Sequence, residues 1–172
     1  MIGNGTVPVE QVVTPHGTLA LRPETESDAA FLRALHDSVK GAELALMPLA
    51  DPIRRQLLDM QYRAMTMSYR AAFPAGRFEV IMLDAAPIGR LITDNGQDRF
   101  HIVYIGLLPE WRDHGIGTAL MASVLDRPRR RRAICAATVA VDNVASLRLW
   151  FRLGFTALER GDTDVSLEWR PD

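Results

Sequence analysis

Cysteine is nearly absent: Cys135 is the only one in 172 residues. A single thiol excludes an internal disulfide framework and a cysteine-based metal cluster. It lies inside the apolar stretch Ile134–Val141, where a buried structural thiol is expected rather than a nucleophile. Lysine is equally scarce, with Lys40 alone, so no glycine-rich turn carries the lysine that a nucleotide P-loop requires. Excess charge is missing too. The formal net charge of −1 removes any bulk attraction to nucleic acid or to an anionic membrane. The four histidines are scattered without metal-ligand spacing, so no metal is expected. No apolar run reaches the roughly 20 residues that a bilayer-spanning helix needs. The N-terminus lacks the basic-then-apolar order of a secretory signal. Repeats and low-complexity tracts are absent. What is left is the composition of a soluble, cytoplasmic, single-domain protein, 48% hydrophobic and long enough for one core.

Against that plain background one stretch stands out. Residues 105–120 read I-G-L-L-P-E-W-R-D-H-G-I-G-T-A-L. An apolar run ends at Pro109, a polar turn follows, and apolar residues then recur at helical spacing through Leu120, Met121, Val124 and Leu125. Strand, glycine-containing turn and helix in that order aim the N–H groups of the turn and the positive end of a helix dipole at one spot. A phosphate or pyrophosphate is the natural occupant. Gly115 and Gly117 allow close backbone approach and positive φ, and Arg112 adds a permanent charge.

Around this centre the chain alternates between the two classes of element. Residues 1–17 form a loose arm or edge strand, and 18–172 one domain. Thr18–Arg22 alternates as a strand. A helix capped by Thr25, Ser27 or Asp28 runs through Phe31, Leu32 and Leu35, and Gly41 is expected to stop it. A linker through Pro48 leads to a second helix from Pro52, where Ile53, Leu57, Leu58, Met60 and Met65 recur at helical spacing. Phe78–Leu83 and Pro87–Thr93 form a hairpin, Asp94-Asn95-Gly96 turns the chain, and Phe100–Leu108 delivers it to the glycine turn. The run R-P-R-R-R-R at 127–132 reads as a solvated helix-to-strand loop. No aromatic is interleaved with it, so it is not taken as a nucleic-acid site. Ile134–Val141 is a strand and Ser146–Leu153 the last helix. Phe155–Leu158 and Val165–Trp169 are closing strands about a turn at Gly161-Asp162.

The segment R-D-H-G-I-G resembles the acyl-CoA loop of the GNAT N-acetyltransferases, whose pattern is Q/R-x-x-G-x-G/A after a strand ending near a proline. The later segment V-D-N-V-A-S-L-R-L-W-F-R-L-G-F, residues 141–155, is similar to that family's second motif, with Asn143, Ser146, Leu149, Gly154 and Phe155 in place. The resemblance spans roughly Arg22–Trp169. It implies an α+β fold: a mixed, mostly antiparallel sheet of six to seven strands, about four helices, and a splay between the fourth and fifth strands that opens a cleft for the cofactor. It implies acetyl-CoA as cosubstrate, with Arg112, Asp113, His114, Gly115, Ile116, Gly117 and Thr118 around the pyrophosphate. Leu107 and Leu108 would bond the pantetheine arm, and Asn143 and Ser146 would lie beside it. Asn143 suits a helix cap equally well.

The implied reaction is direct attack of a primary amine, from a small molecule or a protein N-terminus, on the acetyl thioester in a ternary complex. A backbone N–H of Leu107 would polarise the thioester carbonyl, worth about 3 kcal/mol for a donor of that kind. In this family the early helical region lines the acceptor site, which makes Tyr62, Arg63, Met67, Tyr69 and Arg70 candidate contacts. The strand before Leu107 holds no carboxylate, so Tyr104, His101, Glu79 or a water relay is left to take the amine's proton. Many relatives protonate the thiolate with a tyrosine seven residues after the asparagine, and here that position is Trp150. The indole donates but is no acid. These two departures keep a second reading open, a non-catalytic acyl-CoA-binding sensor or partner protein on the same fold. Nothing in the residues decides between monomer and homodimer.

Overall fold

Period-two apolar patterning draws the chain into one eight-stranded sheet. The computed structural model describes residues 11–96 and 99–171. Its strands are β1 (Gln11–Thr14), β2 (Gly17–Pro23), β3 (Arg77–Leu83), β4 (Ala86–Asn95), β5 (Arg99–Leu107), β6 (Ile134–Ala140), β7 (Thr156–Arg160) and β8 (Asp164–Trp169). They lie in the order β1-β2-β3-β4-β5-β6-β8-β7, and every neighbouring pair is antiparallel except β5 with β6. The count exceeds the expected six to seven because Gln11–Thr14, in the presumed arm, pairs with β2 as an edge strand. The remainder of that arm, residues 1–10, lies outside the described residues.

One face of the sheet carries α3 (Ile116–Val124), α4 (Asp126–Arg130) and α5 (Val144–Arg152). Here Leu19, Ile81, Leu91 and Phe100 meet Leu120, Met121 and Val124 of α3 and Trp150 of α5 in a continuous core. Burying each such side chain stabilises by about 1.5–3 kcal/mol. The other face carries α1 (Ala29–Ala45) and α2 (Asp51–Ala72). Leu32, Leu35, His36 and Leu44 bury the inner stripe of α1, whereas α2 buries only Leu58.

Two expectations about these elements are corrected. Gly41 does not end α1, which continues to Ala45. Glycine costs a helix interior about 1 kcal/mol, and burial of Leu44 one turn later outweighs it. The arginine run is a solvated loop only in part: Arg129 to Arg132 are exposed and 131–132 turn the chain, but the run does not begin as a loop. Its first residues form α4, and Arg127 reaches the buried Glu79 (3.2 Å, 2% exposed side chain). Arg129 pairs with Asp126 at 2.6 Å and stacks on Trp169.

Among the described residues Glu24, Asp28, Glu79 and Glu168 bury their carboxylates with cations. Glu79 is held by Arg127 and by Arg77 at 2.6 Å. Glu24 accepts from Arg90 Nε at 2.6 Å and Nη2 at 3.2 Å, both side chains being almost fully enclosed, and from Arg70 at 3.2 Å. Removing one partner of such a pair strands a charge in a low-dielectric interior. Arg90→Ala is therefore expected to lower the unfolding free energy by about 3–5 kcal/mol. Glu24→Leu/Arg90→Met together should recover most of that loss, as read by urea denaturation. Cys135 is fully buried, and burial pushes its thiol up to about 12. A thiol reagent at pH 8 should leave the native protein unmodified and label one thiol per chain only after unfolding.

Candidate active site

The site begins where two parallel strands part. β5 and β6 are paired from Arg99↔Ile134 to Ile102↔Ala137 and no further, although both strands continue. At the same point β5 has a bulge: Ile92 faces Tyr104 and Thr93 faces Ile102, leaving Val103 unopposed. A bulge bends a strand and raises its local twist, which carries the rest of β5 away from β6. This is the splay that the resemblance implied.

The parting leaves peptide groups of β5 open on one side. Leu108 N–H donates to Ile88 O at 2.9 Å, and Gly89↔Leu107, Arg90↔Gly106 and Leu91↔Ile105 follow in register. Antiparallel pairs alternate between hydrogen-bonded and non-hydrogen-bonded. Gly106 is therefore bonded to β4, and the N–H and C=O of Ile105 and Leu107 point into the splay. This corrects the assignment of Leu108, whose N–H is spent within the sheet. It adds Ile105, which the motif did not single out but strand alternation counted from Leu108 reveals.

Beyond Leu108 a single 3-10 turn, Pro109–Trp111, leads to the glycine turn. Asp113 (φ 61°) and Gly115 (φ 73°) are both left-handed, and Gly115 is the N-cap of α3, which no side chain caps. The first N–H groups of α3 thus have no acceptor within the helix. Gly117 and Thr118 are half-buried, and Ile116 is buried and anchors the helix start. A Cβ at Gly115 would meet nothing within 4 Å, and one at Gly117 would make only ordinary contacts with Leu149 (3.7 Å) and Leu107 (4.0 Å). Packing within the chain therefore does not demand glycine at 117. The cradle is open on the side where a phosphate would sit, and its donor set fits one.

The surrounding side chains are arranged about this turn. Arg112 Nε donates to Leu107 O at 3.0 Å, tying the turn to the end of β5. His114 bonds the Arg112 carbonyl at 2.6 Å and meets His16, from the β1–β2 turn, edge-on at 5.2 Å. His16 is a neighbour that no motif pointed to. Across the splay, Asn143 accepts from Ser146 N–H at 3.1 Å and caps α5, leaving its amide nitrogen available to donate. Trp150 is 2% exposed and gives its indole N–H to Ser146 Oγ at 3.1 Å. It lies edge-on to Phe155. That places Trp150 in the core with its one donor spent, which corrects its candidacy as the proton donor.

The α1–α2 face of the sheet holds two clefts. The first, about 240 Å³, is lined by Tyr69, Phe73, His101, Ile102, Val103 and Ala136–Thr138. The second, about 390 Å³, is lined by Glu24, Thr25, Glu26, Ala29, Leu32, Tyr62, Thr66, Arg70 and Arg90. Of the acceptor candidates, Tyr62, Tyr69 and Arg70 line these clefts. Arg63 and Met67 are exposed and line neither. Tyr104 lies 6.1 Å from Tyr69, ring to ring, and its hydroxyl covers the space that a Cβ on Gly106 would need. Burial raises the Tyr104 phenol above its ordinary value, against an opposing pull from Arg90. Burial likewise raises Tyr69. Both phenols therefore hold their protons near neutrality, which suits donation and not the base role expected for Tyr104. Glu79 is equally unsuited as a base. It is tied to Arg127 of α4, on the opposite face of the sheet from the clefts.

Among the described residues no cluster of His, Cys, Asp and Glu could hold a metal ion, and no helix is long and apolar enough to cross a membrane. No curated protein matches the chain significantly in sequence. Solved structures of similar fold include the PaiA N-acetyltransferase of Thermoplasma acidophilum in complex with coenzyme A (15% identity, TM-score 0.66, 88% of this chain and 98% of that one). RimJ of Mycobacterium smegmatis with CoA-disulfide is also similar (19%, 0.65, 94% and 86%). So is RimL, an alpha-N-protein acetyltransferase of a ribosomal protein (20%, 0.64, 100% and 99%). At these identities the likeness establishes the fold. The profile of the acetyltransferase (GNAT) family matches residues 47–155, from the α1–α2 turn to the phenylalanine that closes the second motif. The open strand edge and the glycine turn thus lie inside the matched region, and the chain belongs to the GNAT acetyltransferase family.

Proposed function

We propose that this protein transfers an acetyl group from acetyl-CoA to a primary amine of a small molecule or a protein N-terminus, by direct attack in a ternary complex. The observation that carries the reading is the continuity of two donor sets. The N–H groups of Ile105 and Leu107, open to the splay, run directly into the uncapped N-terminus of α3 behind Gly115. An amide-rich pantetheine arm can add to the first as an extra strand, with its pyrophosphate on the second.

Bound in this way, the thioester lies beside β5, with the two clefts on the α1–α2 face as the entry for the amine. The Ile105 or Leu107 N–H polarises the thioester carbonyl and stabilises the oxyanion as the amine adds. His101, in the first cleft, or water takes the amine's proton. Tyr104, protonated and half-buried near the bulge, is suited to return a proton to the departing thiolate. Coenzyme A has a thiol pKa near 8.5 by analogy with cysteine, so the thiolate leaves tolerably even without help. The proposed compartment is the cytoplasm.

A second reading is favoured by one observation. With Trp150 spent on Ser146, the usual acid position is silent, as expected of a protein that binds acyl-CoA without turning it over. Release of free CoA thiol from acetyl-CoA against an amine panel that includes peptide N-termini separates the two. Amine-dependent release supports the enzyme; tight binding without release supports the sensor.

Two variants test the assigned groups. Gly117→Trp should weaken CoA binding, measured calorimetrically, by roughly 100-fold or more, as two charge-assisted N–H contacts are lost. Gly117→Ala should retain most of the affinity, because its Cβ has room. Tyr104→Phe should leave CoA affinity unchanged and lower kcat by about 100-fold or more if the phenol donates the proton. An unchanged kcat would remove Tyr104 from the chemistry.

A further inference from the structure

The second cleft keeps polar groups that the fold itself leaves idle. Tyr62, Thr66 and Arg70 stand one turn apart on α2 and line it together, as residues at that spacing share a helix face. The Thr66 hydroxyl is buried and has no hydrogen-bond partner among the described residues. A hydroxyl shut away in that state is costly and uncommon. Arg70 is under-used as well. Its guanidinium stands over the Phe78 ring, 4.4 Å from the centroid. Of its several N–H donors, only Nη2 is engaged among the described residues, with Glu24 at 3.2 Å. Glu24 is already taken by Nε and Nη2 of Arg90. Two guanidinium groups thus share one carboxylate, which leaves one positive charge over. Glu26 also lines the cleft, exposed and without a partner among the described residues. A surplus cation, a free anion and an idle hydroxyl therefore share one cavity of about 390 Å³.

We propose that the acceptor amine carries a carboxylate close to its amino group, and that Arg70 and Thr66 bind this carboxylate. The inference rests on the acetyl-transfer reading above and names its class of acceptor. A guanidinium fork matches a carboxylate in shape and charge, and the Thr66 hydroxyl, one turn away, adds a further donor. Glu26 suits the ammonium from which the reacting amine derives, and it opposes a second negative charge. A zwitterion meets both walls. A polyamine leaves the surplus guanidinium unmet, and a polyanion meets Glu26. The cleft also stands beside the chemistry. Arg90, which lines it, is the cross-strand partner of Gly106, between the two residues whose N–H groups open on the splay. Its charge pulls on the phenols of both Tyr69 and Tyr104. The carboxylate has two possible sources, the α-carboxylate of a free amino acid and an acidic side chain at the start of a peptide.

Paired acceptors that differ only in the carboxylate test this, with release of CoA thiol from acetyl-CoA as the readout. L-amino acids with small, apolar and acidic side chains are compared with their α-amides. A peptide amide beginning with aspartate is compared with the same peptide beginning with asparagine. In one of these sets the acid should be preferred in kcat/KM. Arg70→Gln should cut that preference about 10- to 100-fold, through KM. The variant should fold, as read by circular dichroism, because Glu24 keeps Arg90. Thr66→Val should cut the preference about fivefold without lowering Tm, because the hydroxyl it deletes bonds nothing in the free chain. Preference for the free amino acids identifies a small-molecule acceptor, and preference for the aspartyl peptide a peptide N-terminus. Turnover without preference, or a preference that survives Arg70→Gln, would overturn the inference and leave acetyl transfer standing. If no amine is turned over, acetyl transfer fails instead, and calorimetric titration of the same acids into CoA-saturated protein reads the site. Binding to the wild type but not to Arg70→Gln would then support the carboxylate site, and absence of binding would overturn it.

Discussion

Everything functional in this protein hangs on the loss of pairing between β5 and β6 after Ile102 and Ala137. Backbone N–H and C=O groups are obligatory hydrogen-bonding groups, and leaving them unpaired inside a sheet is costly. The chain accepts that cost over Val103–Leu107, on the one strand that leads directly into a glycine turn. The bulge at Val103 supplies the bend. A ligand with amides of its own recovers what the sheet gives up, so the affinity for an extended, amide-bearing cofactor and the irregularity of the sheet are one fact seen from two sides.

The two faces of the sheet share the work unequally. On the α3–α5 face the core is dense and apolar, and the motif residues Ile116, Leu147 and Phe155 are buried in it. Their identities serve to hold the turn and the α5 cap in position. On the α1–α2 face polar groups reach the interior as ion pairs: Arg90 and Arg70 share Glu24, and Arg22 holds the Asp28 carboxyl well below its usual range. Tyr104 stands among these groups because Gly106, two residues on, leaves the space its ring occupies. The first cleft offers an incoming amine a phenol and an imidazole, and the second adds the carboxylates of Glu24 and Glu26.

How much could be read from the residues depended on the range of the interaction concerned. The glycine turn, the strand before it and the helix after it follow from a few consecutive residues, and the structure has them within one or two positions. Gly41 misled because a local breaker was outvoted by the burial of Leu44, and the arginine run misled because Arg127 finds Glu79 from another part of the sequence. Trp150 occupied the right spacing for a proton donor. Whether its indole faced the cofactor or the core depended on packing against Phe155 and a bond to Ser146, and spacing carries no information about either.

The sequence by itself determined the glycine turn, the family motifs and the alternation of strands and helices, because these rest on backbone permission and periodicity, which are local. Only the tertiary structure decided which peptide groups of β5 stay open. It alone showed that Leu108 is spent while Ile105 is free, and that Glu79 serves the wrong face of the sheet. Those outcomes are set by strand register and by which side chains reach each other across long stretches of chain, and hydrogen-bond alternation and burial exist only once the strands have paired.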